Sequence, residues 1–172
     1  HAPDRSMLQT SAGLRGLPGV ATAAGLALAS GPPAAEPNVL EIVYHFGVEA
    51  RNQPDTAKKR FKKDMILEGQ LTTRLSVSMA ERRRVVELAG EIGFFELPEV
   101  IPNEEHAFVT PCESYYLEIR AEAQIHHVRW DNCDGGDSPQ KRALARVGDA
   151  IEEIIKSKRA YRRLPKPRGA YL

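Results

Sequence analysis

Hydrophobic and polar positions alternate over residues 39–48, where Leu40, Ile42, Tyr44 and Phe46 are separated by Glu41, Val43 and His45. A period of two is that of a half-buried strand. Asn52 and Pro54 then predict a turn over residues 51–55, and residues 58–66, KKRFKKDMI, return as a cationic strand with Phe61 and Met65 turned inward. Its lysines suit the edge of a sheet, where charge discourages pairing with other chains. The competing reading of the run Lys58 to Lys63 is a nucleic-acid patch. A third strand, residues 71–77, follows the turn signal Glu68-Gly69.

At Ser78 the period changes. Ser78-Met79-Ala80-Glu81 is a capping box, in which the serine hydroxyl and the glutamate carboxylate each satisfy a backbone donor of the first helical turn. Val85, Leu88, Ala89 and Ile92 follow at helical spacing, with Arg82, Arg83, Glu87 and Glu91 outward. Gly93 stops the helix, and Phe94, Phe95 and Leu97 turn back before Pro98 enforces an extended exit.

Residues 112–133, CESYYLEIRAEAQIHHVRWDNC, read as one hairpin. Tyr115, Leu117 and Ile119 alternate with Glu118 and Arg120, and His126, Val128 and Trp130 alternate with His127, Arg129 and Asp131. With Glu122-Ala123 as a two-residue turn, counting outward sets Leu117 against Val128, Tyr115 against Trp130, Ile119 against His126, and Cys112 against Cys133. Directly opposed residues of an antiparallel pair have Cα atoms about 4.5–5.5 Å apart, within reach of a disulfide. His126 and His127 point to opposite faces, so they cannot act on one substrate together. Beyond the hairpin, Ser138-Pro139 supplies an N-cap with proline at the first helical position. Leu144, Val147, Ile151 and Ile154 mark a second amphipathic helix to about residue 158, whose polar face carries Lys141, Arg142, Arg146 and Glu152.

The chain has 172 residues, 27% of them charged and 42% hydrophobic, and a formal net charge of +1, so composition implies an ordinary globular domain and no particular partner. Two cysteines leave a structural bridge, a redox pair and a metal half-site open until the compartment is considered. Residues 1–6 are set aside as an upstream extension. From Met7 the chain has one arginine, an apolar run over residues 17–29, and Ala27 and Ala29 in A-x-A spacing, the pattern of a secretory signal peptide cleaved after Ala29. A membrane-anchoring or unstructured N-terminus is the alternative, but the run is shorter than the ~20 residues a membrane span needs. Export would place the two cysteines in an oxidising compartment, periplasmic or secreted, and favours the disulfide. The even cysteine count with none left over agrees.

The least periodic stretch is residues 99–111, EVIPNEEHAFVTP. Irregular loops on a rigid scaffold are where binding residues concentrate, so Glu104, Glu105, His106 and Phe108 are the candidate partner-binding residues. A metal site at Glu104, Glu105 and His106 is not expected, because three adjacent residues do not converge on one ion and no HExxH pattern is present. No catalytic constellation emerges: no phosphate loop, no nucleophile elbow and no CxxC. No catalytic residue, metal or cofactor is therefore assigned. Residues 159–172 hold five basic residues, no acidic ones and two tyrosines. They predict a tail lying over the sheet or left mobile; single-stranded nucleic acid is a third reading, disfavoured for an exported protein.

The helix at residues 80–98 running into Phe94, Phe95, Leu97 and Pro98, the Y-x-L-x-I strand at Tyr115, the V-x-W return strand at Val128 and the closing amphipathic helix give the chain a resemblance to the emfourin family. Those are small bacterial α+β proteins that inhibit thermolysin-like metalloproteases, and uncharacterised exported bacterial α+β proteins look similar in the same way. The resemblance implies a binding or inhibitory role with a partner protein, in its narrowest form a secreted protease, and carries over no inhibitory residue.

The expected organisation is an upstream extension and signal peptide (1–29), a flexible leader (30–37), one domain (38–158) and a basic tail (159–172). The expected fold is α+β, an antiparallel sheet of about five strands with two amphipathic helices packed on one face. The expected function is an exported binding or inhibitor module with no transmembrane segment in the mature chain. The alternative is a small metal-dependent or hydrolytic periplasmic enzyme using His45, His106 or Asp131.

Overall fold

The structure, a computed structural model, describes residues 39–103, 108–135 and 138–171; the signal-peptide and leader readings lie outside these residues. Six strands form one sheet: β1 (Leu40–His45), β2 (Gln53–Asp55), β3 (Arg60–Asp64), β4 (Gln70–Arg74), β5 (Ser114–Ala121) and β6 (Gln124–Asp131). Their order is β4-β3-β2-β1-β5-β6, and all neighbours are antiparallel. Helix α1 (Met79–Glu91) joins the two halves of the sheet, a 3-10 turn (Phe94–Glu96) follows it, and α2 (Pro139–Ser157) and the short α3 (Arg159–Arg162) close the chain.

The expected α+β class holds, with six strands rather than five. The additional strand is β2, which lies where Asn52 and Pro54 predict a turn. Val43 pairs with Asp55 and Phe46 with Asn52, so this short segment runs beside β1 with Pro54 between the two pairs. Proline has no N–H to donate, which interrupts the ladder there. A side chain compensates at its end: the Ile42 N–H donates to Thr56 Oγ1 at 2.8 Å, and the Thr56 N–H returns to the Ile42 carbonyl at 3.0 Å.

A second correction concerns the cationic strand. β3 is interior, flanked by β2 and β4, and the edge on that side is β4. The C-terminal segment shields its lysine: Lys63 is buried, with its ammonium 5.0 Å from the centre of the Tyr161 ring and donating to the Pro165 carbonyl at 2.8 Å. Tyr161 in turn packs on Phe61. Arg168 reaches Glu68, and the Tyr171 hydroxyl donates to Asp64, so the basic tail lies along the end of β3.

One apolar core joins the layers. It takes Ile42 and Tyr44 from β1, Phe61 from β3, Leu117 and Ile119 from β5, and Val128 and Trp130 from β6. Val85 and Ala89 of α1 and Leu144, Val147, Ile151 and Ile155 of α2 pack into the same cluster. These strand residues share one side of the pleat, so both helices draw on the same face of the sheet. Residues between them, including Val43, His45, Tyr116, Glu118, His127 and Arg129, point to the opposite face. No helix among the described residues is long and apolar enough to cross a membrane.

Local devices tie the elements down. The Ser78 box forms with both of its bonds, and Lys158 adds an ammonium to Glu81 at 2.6 Å. Ser138 caps α2 by accepting from the Lys141 N–H. Lys141, expected on the polar face of α2, is instead buried, because the turn after Cys133 folds back over the first helical turn. Its ammonium donates to both carboxylate oxygens of Asp134, at 2.9 and 2.8 Å, and to Asn103 at 2.8 Å. A buried ammonium is tolerable only when paired and hydrogen-bonded in this way.

Candidate functional site

The hairpin of β5 and β6 has the register that counting from Glu122-Ala123 predicts, with Leu117 opposite Val128, Tyr115 opposite Trp130 and Ile119 opposite His126. Cys112 and Cys133 form a disulfide with Cα atoms 4.9 Å apart. It clamps the hairpin at the end where the 99–111 segment returns, and the Val109 N–H donates to the Cys133 carbonyl there at 2.7 Å. On the other side of β6, residues 99–101 run along the strand: Arg129 N–H donates to the Glu99 carbonyl at 2.8 Å and Ile101 N–H to the Arg129 carbonyl at 2.9 Å. The outer edge of β6 is thereby covered, and Val100 is left 61% exposed.

These pieces frame a cleft of about 410 Å³ lined by His45, Val100, Ser114, Tyr116, Arg129 and Asp131, among others. Its floor is the helix-free face. Tyr116 sits at the centre of a row, its ring 5.3 Å from that of His45 and 5.7 Å from that of His127, with the Arg129 guanidinium 5.4 Å from its centre. β1 supplies His45, β5 supplies Tyr116 and β6 supplies His127 and Arg129, so the pairing of three strands assembles the row. Glu99 lies 3.7 Å from His127 Nε2. Among the described residues Arg129 has no carboxylate partner.

Burial holds His45 below the usual imidazole range, and Lys62 pushes the same way, so the ring is neutral at pH 7. Burial, followed by the bond that Tyr116 donates to Glu118, pushes the phenol up to about 12. The phenol is therefore not poised to trade a proton near neutrality. Asp131 is committed as a turn partner, accepting the Cys133 N–H at 2.9 Å. His45 and Asp131, both named by the enzymatic alternative, line the same cleft. Among the described residues no group of three or more His, Cys, Asp or Glu side chains could hold a metal.

Of the four predicted partner-binding residues, Glu104, Glu105 and His106 lie outside the described residues. Phe108 is 80% exposed beside a half-exposed Val109. Tyr116, Arg129 and Val100 were not singled out in the sequence, although one signal was available. The outward positions of a solvated hairpin are normally Thr, Lys or Ser, and here they carry Tyr116 and His127, with His45 of β1 beside them. No model of a known protein family matches the chain, and no curated protein matches it.

Proposed function

We propose that this protein is an exported binding module, without catalytic chemistry of its own, that takes a partner protein on the helix-free face of its sheet beside residues 99–103. The observation that carries the reading is the cleft over His45 and Tyr116, walled by the exposed Val100 and crowned by Arg129, with the His127 ring beside Tyr116. Aromatic and arginine side chains bordered by apolar ones are the composition of interface centres. A partner segment presenting a carboxylate to Arg129 and an apolar side chain to Val100 complements the cleft. The disulfide supports export, since such bonds persist in oxidising compartments. The resemblance to emfourins makes a thermolysin-like metalloprotease the first partner to assay.

The test is affinity capture from culture medium or periplasm with wild-type protein and with the double variant Val100→Asp, Arg129→Glu, alongside inhibition of a thermolysin-like protease. A partner held by wild type and released by the variant, at unchanged melting temperature, supports the reading. Equal capture by both removes this face from it. The hydrolytic alternative draws on His45 and Asp131, which line one cleft. Ester or peptide hydrolysis by wild type that His45→Ala abolishes would replace the binding reading with that one.

A further inference from the structure

At the other end of the same sheet face, β3 and β4 place two arginines directly against each other. Arg60 is the cross-strand partner of Arg74, and like charges in that position repel. One carboxylate, Asp55, opposes Arg60 on β2 and relieves it in part, and the other neighbours add positive charge. A cavity of about 340 Å³ is lined by Lys58, Lys59, Arg60, Thr72, Thr73 and Arg74, four cationic side chains and no carboxylate. The nearest acid, Asp55, is already engaged by Lys58, whose N–H donates to it at 2.9 Å and whose ammonium lies at 3.1 Å, while Arg60 approaches it no closer than 3.9 Å. Lys59 and Arg74 have no carboxylate partner among the described residues. Arg60 Nε is buried and has no hydrogen-bond partner among them. A buried donor on a charged group is costly to leave unmade.

From this arrangement we infer that the cavity is a binding site for a tetrahedral, doubly charged oxyanion, a phosphate group in free form or as a monoester. Two guanidinium forks and lysine ammonium groups offer more donors than a carboxylate has oxygens, whereas a phosphate presents three or more acceptors and two charges in the geometry the forks match. Thr72 adds a hydroxyl donor from the same side of the pleat. Such a group seated between Arg60 and Arg74 turns their repulsion into two attractions and gives Arg60 Nε its acceptor. This site is separate from the His45–Tyr116 cleft and does not depend on the partner-binding reading.

The test is thermal denaturation of the full chain in titrations of sodium phosphate, glycerol 3-phosphate and sodium acetate at fixed ionic strength, with wild type and Arg74→Gln. Phosphate and its ester should raise the wild-type melting temperature saturably, by about 3 °C at tenfold over Kd, and acetate should not. Arg74→Gln should lose most of that rise, yet in phosphate-free buffer melt no lower than wild type, because its opposed charge is gone. Flotation with vesicles of phosphatidic acid in phosphatidylcholine, against phosphatidylcholine alone, separates the sources. Flotation with the former only names a lipid headgroup, and a glycerol 3-phosphate response without flotation names a soluble phosphate. No saturable response to any phosphate, an equal response to acetate, or an undiminished response in Arg74→Gln overturns the inference.

Discussion

Gly148, in the middle of α2, is the position where helix propensity and packing make opposite demands. Replacing a helical glycine with alanine is intrinsically worth about 1 kcal/mol in favour of folding. At Gly148, however, an added Cβ would lie 2.3 Å from the Tyr44 hydroxyl oxygen and 3.0 Å from Tyr44 Cζ. Tyr44 cannot swing aside: it is 1% exposed, on β1, and stacked against Phe46 and Trp130. Overpacking of a filled core costs about 1–3 kcal/mol, and a contact this short belongs at the upper end. Gly148→Ala should therefore destabilise by about 2 kcal/mol once the propensity gain is subtracted, a fall of roughly 5–8 °C in melting temperature for a domain of this size. Tyr44→Phe deletes the oxygen that clashes, so in that background Gly148→Ala should be neutral within about 0.5 kcal/mol, a coupling of about 2 kcal/mol in a double-mutant cycle. Gly90, near the end of α1, meets nothing within 4 Å, and Gly90→Ala should stabilise by up to about 1 kcal/mol. Urea titrations of the five proteins measure all of this. If Gly148→Ala stabilises the wild type as Gly90→Ala does, or the cycle shows no coupling, the argument for tight packing of α2 on β1 is wrong.

Three further outcomes follow from particular contacts. The disulfide closes 20 intervening residues, for which loop-closure entropy predicts about 3 kcal/mol. Cys112→Ser should thus lower the melting temperature of oxidised protein by several degrees and leave reduced protein nearly unchanged, and denatured, unreduced protein should titrate no free thiols. Lys141→Met takes the ammonium from the buried Asp134 carboxylate and should cost about 3–5 kcal/mol by chemical denaturation; a loss under about 1 kcal/mol would place the pair effectively in solvent. Burial raises the pKa of Glu81, but bonds from Lys158 and Ser78 outweigh it and the net direction is down. A depressed carboxylate pKa contributes stability above its unfolded value that disappears as pH falls through the folded one. Glu81→Gln should therefore be less stable than wild type at pH 7 and approach it as acid protonates Glu81, and a gap that widens toward low pH would contradict the assignment.

The features legible in the chain were those set by neighbours in sequence. The Ser78 box, the amphipathic stripe of α2 and the turn at Glu122-Ala123 depend on residues within a few positions of one another, and once the turn is placed a hairpin register is a matter of counting. That is why the pairing of Cys112 with Cys133 is legible in the sequence. On α2 the stripe shifts by one position at its end: the deepest residue of the last turns is Ile155, with Ile154 only partly buried.

What tertiary structure decided has one physical cause, that burial and charge pairing are settled by what arrives from far along the chain. Pro54 and Asn52 carry turn chemistry, yet β1 and β3 flank them and make a strand. Lys141 and Lys63 have the composition of surface residues and are buried because Asp134, Asn103, Pro165 and Tyr161 come to cover them. Tyr116 stands in an aromatic row only because β1 and β6 bring His45, His127 and Arg129 beside it, and the opposition of Arg60 and Arg74 exists only in the register of β3 with β4. Periodicity in the sequence determined which residues face inward. Which polar residues meet one another, and so which surfaces the sheet presents, followed from the order of six strands.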